Sequence, residues 1–444
     1  MSLAEKAVKR VIEFGASEAE AYLQSEKVLW IEFDDKIECF KVTESSGLGL
    51  RAALGKKVAA YSTSNISFEE IGEAAEKVVK IAKVMPEDLE WRHFNMSFGK
   101  SDAFGYYDKS VEDIEYDDVA EKVYSAIQRI REYDSRVKPA RGLLAIATTK
   151  TAIANCYGGE FERIESGVSV WVRAKAEDGL GKSMGSDHLE TRFWKDTNLE
   201  ELASKAAENA LNFLRAKQIE SCRISVIFRN DVFASILGTM LSGPITAEWV
   251  QKKRSPLAGK LGKVIACDKI TLVDDGIMYG GIRTRPFDDE GHPTQKTYVI
   301  EEGLLKNYLY DTYTSLKDNV RSTGNAARGG YWTPPQTTPS NLILEKGDSS
   351  LEEMVKETSR GLLVEDVIGE WLSNPVSGNL NATVTHAYLI EKGETKAPVK
   401  GVTVSGDFYK MIAEDVEMVG KDVRNMGQYY SPTIKLREIT VAGK

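Results

Sequence analysis

The sequence predicts an α+β protein: two helix–antiparallel-sheet–helix units followed by a larger β-rich C-terminal domain. Three observations carry this reading. Capped stretches with a helical apolar period alternate with runs of strand-forming residues, in the same order over residues 1–91 and again over 110–220. From residue 222 to 444 the texture changes to apolar runs broken by Gly, Asp and Pro turns. The 444 residues also exceed what one domain of roughly 100–200 residues would need.

The first helix opens on a capping box, with Ser2 and Glu5 each satisfying a free end amide. Leu3, Ala4, Ala7, Val8, Val11 and Ile12 share one face, and Gly15 ends it. Residues 18–63 read as strands EAEAYLQSEKVLWIEF, IECFKVTES, GLGLRAAL and VAAYSTS, with turns at Asp34-Asp35-Lys36 and Gly55-Lys56-Lys57. Ser67 and Glu70 cap a second helix reaching about residue 84, buried through Ile71, Ala74, Ala75, Val78 and Ala82 and barred by Pro86. Residues 92–109 carry no periodicity and read as a linker. A helix over 116–132 follows, with Val119, Val123, Ile127 and Ile130 on its face. Strands GLLAIATTK, TAIANCYGG, FERIESGVSVWVRAKAED and SDHLETRFW come next. The closing helix is read from a third capping box, Thr197 with Glu200, and buries Leu199, Leu202, Ala206, Ala210 and Leu214. In the third unit ISVIF is a strand and NDVFASILGTML a helix. Many strands and Gly/Asp/Pro turns occupy 264–345, a helix over 350–360 is capped by Ser349 and stopped by Gly361, and a short helix lies near 406–414.

Composition removes several function classes. The net charge is −9, from 58 basic and 67 acidic residues, the wrong sign for tracking a nucleic-acid backbone. Cys39, Cys156, Cys222 and Cys267 form no C-x-x-C pair, and their scatter suits a reducing compartment. The four histidines, His93, His188, His292 and His386, are too far apart for any short chelate such as H-E-x-x-H. The charged start MSLAEKAVKRVIEFG is not a signal peptide, and no apolar run is long enough to span a membrane, so the expected location is cytoplasmic.

Four segments offer chemistry. Gly47-Leu48-Gly49-Leu50-Arg51-Ala52 fits a dinucleotide fingerprint, but it runs into another strand rather than a helix, so it reads as a hairpin. Ala176–Ser183 resembles a P-loop and Gly181–Gly185 a nucleophile elbow; neither precedes a helix, and both read as one hairpin loop. Asp288, Glu290 and His292 could hold a divalent metal, whereas Asp-Glu-Gly-His-Pro also reads as a turn with its charges outward, the reading preferred here. Ser322–Gly330, with Arg321 and Arg328 beside it, could cradle a peptide carboxylate or backbone, or could be a structured loop packing Trp332 at an interface.

Taken together, several segments resemble the TldD/PmbA family, also labelled modulator of DNA gyrase. They are SSGLGLRAALGKKVAAYSTS (45–64), NCYGG (155–159), PFDDEGHPTQKTYVIEEGLLKNYLYDTYTS (286–315), STGNAARGG and the closing REITVAG (437–443). Their order covers nearly the whole chain. The resemblance implies a heterodimeric metallopeptidase that cleaves unfolded peptides in an enclosed chamber. In that system the TldD branch carries an H-E-x-x-x-H zinc helix and a C-terminal cysteine ligand, and the PmbA/TldE branch lacks them.

The resemblance also places this chain within the family. Counting back from Ser255–Gly262, the zinc helix falls on Gly238–Gly243, with Gly238 and Gly243 where the ligands would be and Thr239 where the base would be. None can serve, and the last cysteine is Cys267. The chain is therefore expected to be a PmbA/TldE-like subunit with no cofactor of its own and no catalytic residue. Zinc is expected in a TldD-like partner, with an unfolded peptide as substrate and a homodimer when the chain is alone. Arg321, Asn325, Arg328 and Trp332 are the candidate peptide or interface contacts. The alternatives are a hydrolase using Asp288, Glu290 and His292, or a self-associating peptide- or protein-binding protein.

Overall fold

A computed structural model describes residues 2–444. Helix α1 (Leu3–Glu13) leads into three antiparallel strands, β1 (Glu18–Phe33), β2 (Ile37–Leu54) and β3 (Lys57–Thr63), and helix α2 (Phe68–Val84) closes the group. The order repeats as α3 (Tyr116–Tyr133), β4 (Val137–Asn155), β5 (Glu160–Asp178), β6 (Gly181–Thr191) and α4 (Leu199–Asn212). Both predicted units are present, and they share one sheet in the order β3-β2-β1-β4-β5-β6, joined where β1 pairs antiparallel with β4.

Strand length explains the joining. Because side chains alternate faces, Ala19, Ala21, Leu29, Ile31 and Phe33 of β1 all point the same way. Ala19 and Ala21 pack with α1 and α2, whereas Leu29, Ile31 and Phe33 pack with α3 and α4. Both helix pairs therefore cover one face, at opposite ends of strands long enough to serve both. On the other face, Glu20, Tyr22, Arg51, Ile153 and Arg163 are buried toward the third unit.

The third unit begins with β7 (Cys222–Phe228), α5 (Asn230–Leu241) and α6 (Ala247–Gln251). Strands β8 (Leu272–Asp275), β9 (Lys296–Glu301) and β10 (Leu304–Leu305) follow, then α7 (Thr312–Asp318) and the short strands β11 (Ala326–Ala327), β12 (Gln336–Thr337) and β13 (Leu342–Leu344). It ends with α8 (Leu351–Lys356), β14 (Arg360–Ile368), β15 (Asn379–Glu391), β16 (Glu394–Val399), β17 (Val402–Asp407), α9 (Phe408–Lys410), β18 (Val416–Met426) and β19 (Tyr429–Ala442). Strands β7, β14, β15, β17 and β19 close into a barrel, because β19 pairs both with β17 and back with β7. Closure removes the exposed edges that an open sheet would leave. Helix α5 is apolar nearly all round, as a buried helix must be. Val232, Phe233, Ile236, Leu237, Met240 and Leu241 all lie in the third unit's core.

Several local readings are corrected. Residues 92–109 are a packed strap: Phe94 is buried, Asn95 Nδ2 donates to the Glu290 carbonyl at 2.8 Å, and Ser101 N to the Pro286 carbonyl at 2.8 Å. The cap of α4 is Asn198, whose Oδ1 accepts from Glu201 N at 3.1 Å, one residue beyond Thr197. Likewise α8 is capped by Ser350 and ends at Lys356, and Gly361 lies inside β14. The runs read as IECFKVTES and GLGLRAAL are one strand, β2, whose extended backbone continues through Ser45, Ser46 and Gly47. Among the described residues no helix is long and apolar enough to cross a membrane.

Candidate functional site

Asp288-Asp289-Glu290-Gly291-His292 does form a turn. Gly291 takes φ +81°, and Asp288 N donates to the His292 carbonyl at 2.8 Å. The charges, however, point inward: Asp288, Asp289 and Glu290 are 0%, 2% and 2% exposed. Asp289 and Glu290 are met by arginines, Arg51 and Arg163 from the buried face of the first sheet and Arg285 and Arg328 from the third unit. Arg51 grips Glu20 with two hydrogen bonds of 2.8 Å and reaches Glu290 Oε1 at 2.8 Å. Arg163 and Arg285 both bind Asp289 Oδ1, and Arg328 N donates to Asp289 Oδ2 at 2.7 Å. The Arg328 guanidinium returns to Glu20.

Neighbouring charge decides how these carboxyls titrate. Burial opposes ionisation of Asp289, but Arg285 and Arg163 outweigh it and hold the group below the usual carboxylate range. Burial likewise works against Glu290, and Arg51 with Thr312 overcomes it. Asp288 has only backbone donors, from Glu290 N, His292 N and Ala326 N, so burial and the nearby Glu290 push it up. Asp274, held by Asn325 Nδ2 at 2.7 Å and by Ser340 N at 2.6 Å, is pushed up to about 7 by burial.

This geometry sorts the predicted residues. Asp288 and Glu290 are engaged by different donors, and the His292 ring turns its Nδ1 to the Pro293 carbonyl at 2.9 Å. No group of three or more His, Cys, Asp or Glu positioned for a metal occurs among the described residues, so the metal alternative has no cage. Asn325 is 0% exposed and Arg328 is buried; both bind within the protein, which corrects their reading as peptide contacts. Trp332, 61% exposed, stands on the surface against Tyr331. Arg321 lines a cleft of about 940 Å³ together with His93, Phe98, His292 and Tyr310. Arg321 is thus the one accessible member of the loop's two arginines.

Glu20, Arg51 and Arg163 were missed in the sequence, although one signal was legible. Arg51 interrupts the apolar run GLGLRAAL, and an arginine there is buried only with a partner.

The position read as the zinc helix lies on α5. Gly238 faces the Tyr429 ring so closely that a Cβ there would stand 2.4 Å from it. At Gly243, beyond the helix end, a Cβ would stand 2.4 Å from the Trp249 ring. Thr239, between them, has a hydroxyl but no carboxylate. The residues present do not fit a zinc ion: two lack any donor atom, and aromatic rings fill the space where side chains would project.

Comparison with known proteins agrees with this architecture. The model described as the PmbA/TldA metallopeptidase C-terminal domain matches residues 221–443, the central domain 109–214, and domain 1 residues 19–82. An uncharacterized protein of Methanocaldococcus jannaschii is 31% identical over 237 residues, 53% of this chain and about half, 55%, of that protein. A metalloprotease PmbA homologue of Haemophilus influenzae is 25% identical over 92% of this chain and 88% of its own. A metalloprotease TldD homologue of Buchnera aphidicola is 24% identical over 93% and 90%. Among solved structures, TldE from Thermococcus kodakarensis superposes with a TM-score of 0.92, covering 100% of both chains at 24% identity, and so shares the fold. With all three domains matched in order, the chain belongs to the PmbA/TldD metallopeptidase family.

Proposed function

We propose that this chain is a PmbA/TldE-like, non-catalytic subunit that pairs with a zinc-bearing TldD-like chain and helps shape a chamber for unfolded peptides. The observation that carries the reading is the pair Gly238–Tyr429 and Gly243–Trp249. Both positions read as metal ligands are glycines packed under aromatic rings.

A surface for the partner lies beside the same helix. Ile368 at the end of β14 and Trp371, Leu372 and Val376 in the turn after it are each at least half exposed, at 50%, 59%, 80% and 50%. That turn is tied to α5 by the Ser235 hydroxyl, which donates to Glu370 Oε1 at 2.7 Å. A cluster of apolar side chains in water favours burial against another chain. In the absence of the partner, a second copy of this chain covers the patch.

The test is to mix the chain with a TldD-like protein from the same genome and follow cleavage of an unstructured peptide. The expected result is a stable complex that cleaves, loses activity on chelation and regains it with zinc. The chain alone is expected to cleave nothing. Absence of a complex, together with unchanged cleavage by the TldD-like protein, would overturn the proposal.

A further inference from the structure

A second cleft, of about 950 Å³, opens between the β5–β6 hairpin and the barrel, away from α5. Its rim carries Lys175, Lys182, Lys217, Lys400 and Lys444, and no Asp or Glu side chain lines it. This is unusual for a chain of net charge −9. Elsewhere on the surface, lysines commonly sit beside glutamates, as Lys77, Lys80, Lys205 and Lys252 do. In the cleft only Lys175 has a carboxylate partner, Glu177; among the described residues the other four have none in salt-bridge contact. Gathering unpaired like charges raises the energy of the folded chain and focuses a positive potential in the groove.

The floor is apolar. Met184, Ala216 and Val384 line it, and Met184 is 41% exposed. The walls are fixed by backbone pairing. Lys217 N donates to the Pro398 carbonyl at 3.2 Å, and Lys400 N to the Lys217 carbonyl at 3.0 Å. The two carbonyls of edge strand β6 that face the cleft at Met184 and Lys182 are already engaged, since the His386 ring bonds Met184 O at 2.7 Å and Lys400 Nζ bonds Lys182 O at 3.2 Å. An occupant must therefore be held by its side chains, not by strand addition. The lysines come from separate segments and ring the mouth over an apolar base. That arrangement fits an extended ligand with several spaced carboxylates and apolar groups between them.

From this charge complementarity we infer that the cleft is a binding site for an acidic, partly apolar peptide segment. Specificity comes from the lysine rim, and the methionine floor accepts varied apolar side chains.

The experiment uses the full chain alone and a fluorescein-labelled peptide of alternating Glu and Leu, followed by anisotropy. A Gln-for-Glu peptide and an oligothymidylate of equal charge serve as controls. Saturable binding of the Glu peptide that weakens as salt is raised is expected. Reversing two of the five rim charges in Lys182→Glu/Lys217→Glu should weaken it by about tenfold or more. Lys182→Gln/Lys217→Gln should lie between, with unchanged melting temperatures confirming that both variants fold. Equal binding of the Gln peptide, equal binding of the oligothymidylate, no saturable binding, or unchanged affinity in the charge-reversed variant would each overturn the inference. No protease partner is present in this measurement, so its failure leaves the subunit proposal standing.

Discussion

At single residues, aromatic packing occupies the two positions where the family resemblance would put metal ligands. Gly238→Ala should raise helix propensity, yet it places a methyl against Tyr429. A net loss of about 1–3 kcal/mol in chemical denaturation is expected, and a gain would mean that the ring yields freely. Arg51→Met removes the guanidinium bound to Glu290 and two of the three arginine hydrogen bonds to Glu20. Breaking a buried pair from one side should cost about 3–5 kcal/mol. Asp274 gives a pH dependence with a definite sign. Its carboxyl rises from an ordinary 3.8 to about 7 on folding. Between those values the unfolded chain binds fewer protons, so this group lowers stability as pH rises through the window, by at most about 1.4 kcal/mol per pH unit. In Asp274→Asn, melting temperature measured from about pH 4 to about pH 7 should decline less steeply than in the parent protein.

At the level of elements, what was local was legible. The faces of α2 and α3 and the turns between β1 and β2 and between β2 and β3 are written in spacings of a few residues and form where their patterns place them, whereas Ile12, read on the buried face of α1, is exposed. Caps were less secure, because Thr197 and Asn198 are both capping residues and only the backbone decides between them. Asn198→Ala should cost about 1 kcal/mol by thermal denaturation, and an unaffected protein would show that the cap adds nothing. The turn after β14 makes the opposite kind of prediction. Leu372 is 80% exposed, so Leu372→Asp should leave stability within about 0.5 kcal/mol. The same change should weaken association with the TldD-like chain, measured by calorimetric titration. Unaltered affinity would move the interface elsewhere.

Across the whole molecule, the sequence conceals how the parts are joined. Two repeated groups read as separate because nothing local announces that β1 will pair with β4. The charged turn at 288–290 reads as solvent-facing because its partners are remote: Arg163 lies 126 residues from Asp289, and Arg51 lies 239 from Glu290. These ion pairs also join the first sheet to the third unit, beside the Arg192 contacts to Gly281 and Ile282 and the Arg424–Asp187 pair. Arg163→Met should therefore do more than lower stability. By scanning calorimetry, one cooperative transition should separate into two as the sheet and barrel unit melt independently. A single shifted transition would assign the coupling to the apolar contacts of Tyr22, Ile153 and Phe287 instead.

The pairing of Gly238 with Tyr429 bears on how readily such a chain could be converted into a metalloenzyme. A histidine introduced at position 238 meets the ring before it can meet a metal, and removing the ring first leaves a void beside a core helix. The same holds at Gly243 and Trp249. Two ligands thus require four coordinated replacements, and each single step passes through a weakened protein. Close packing acts here as a ratchet that holds these two positions as glycines.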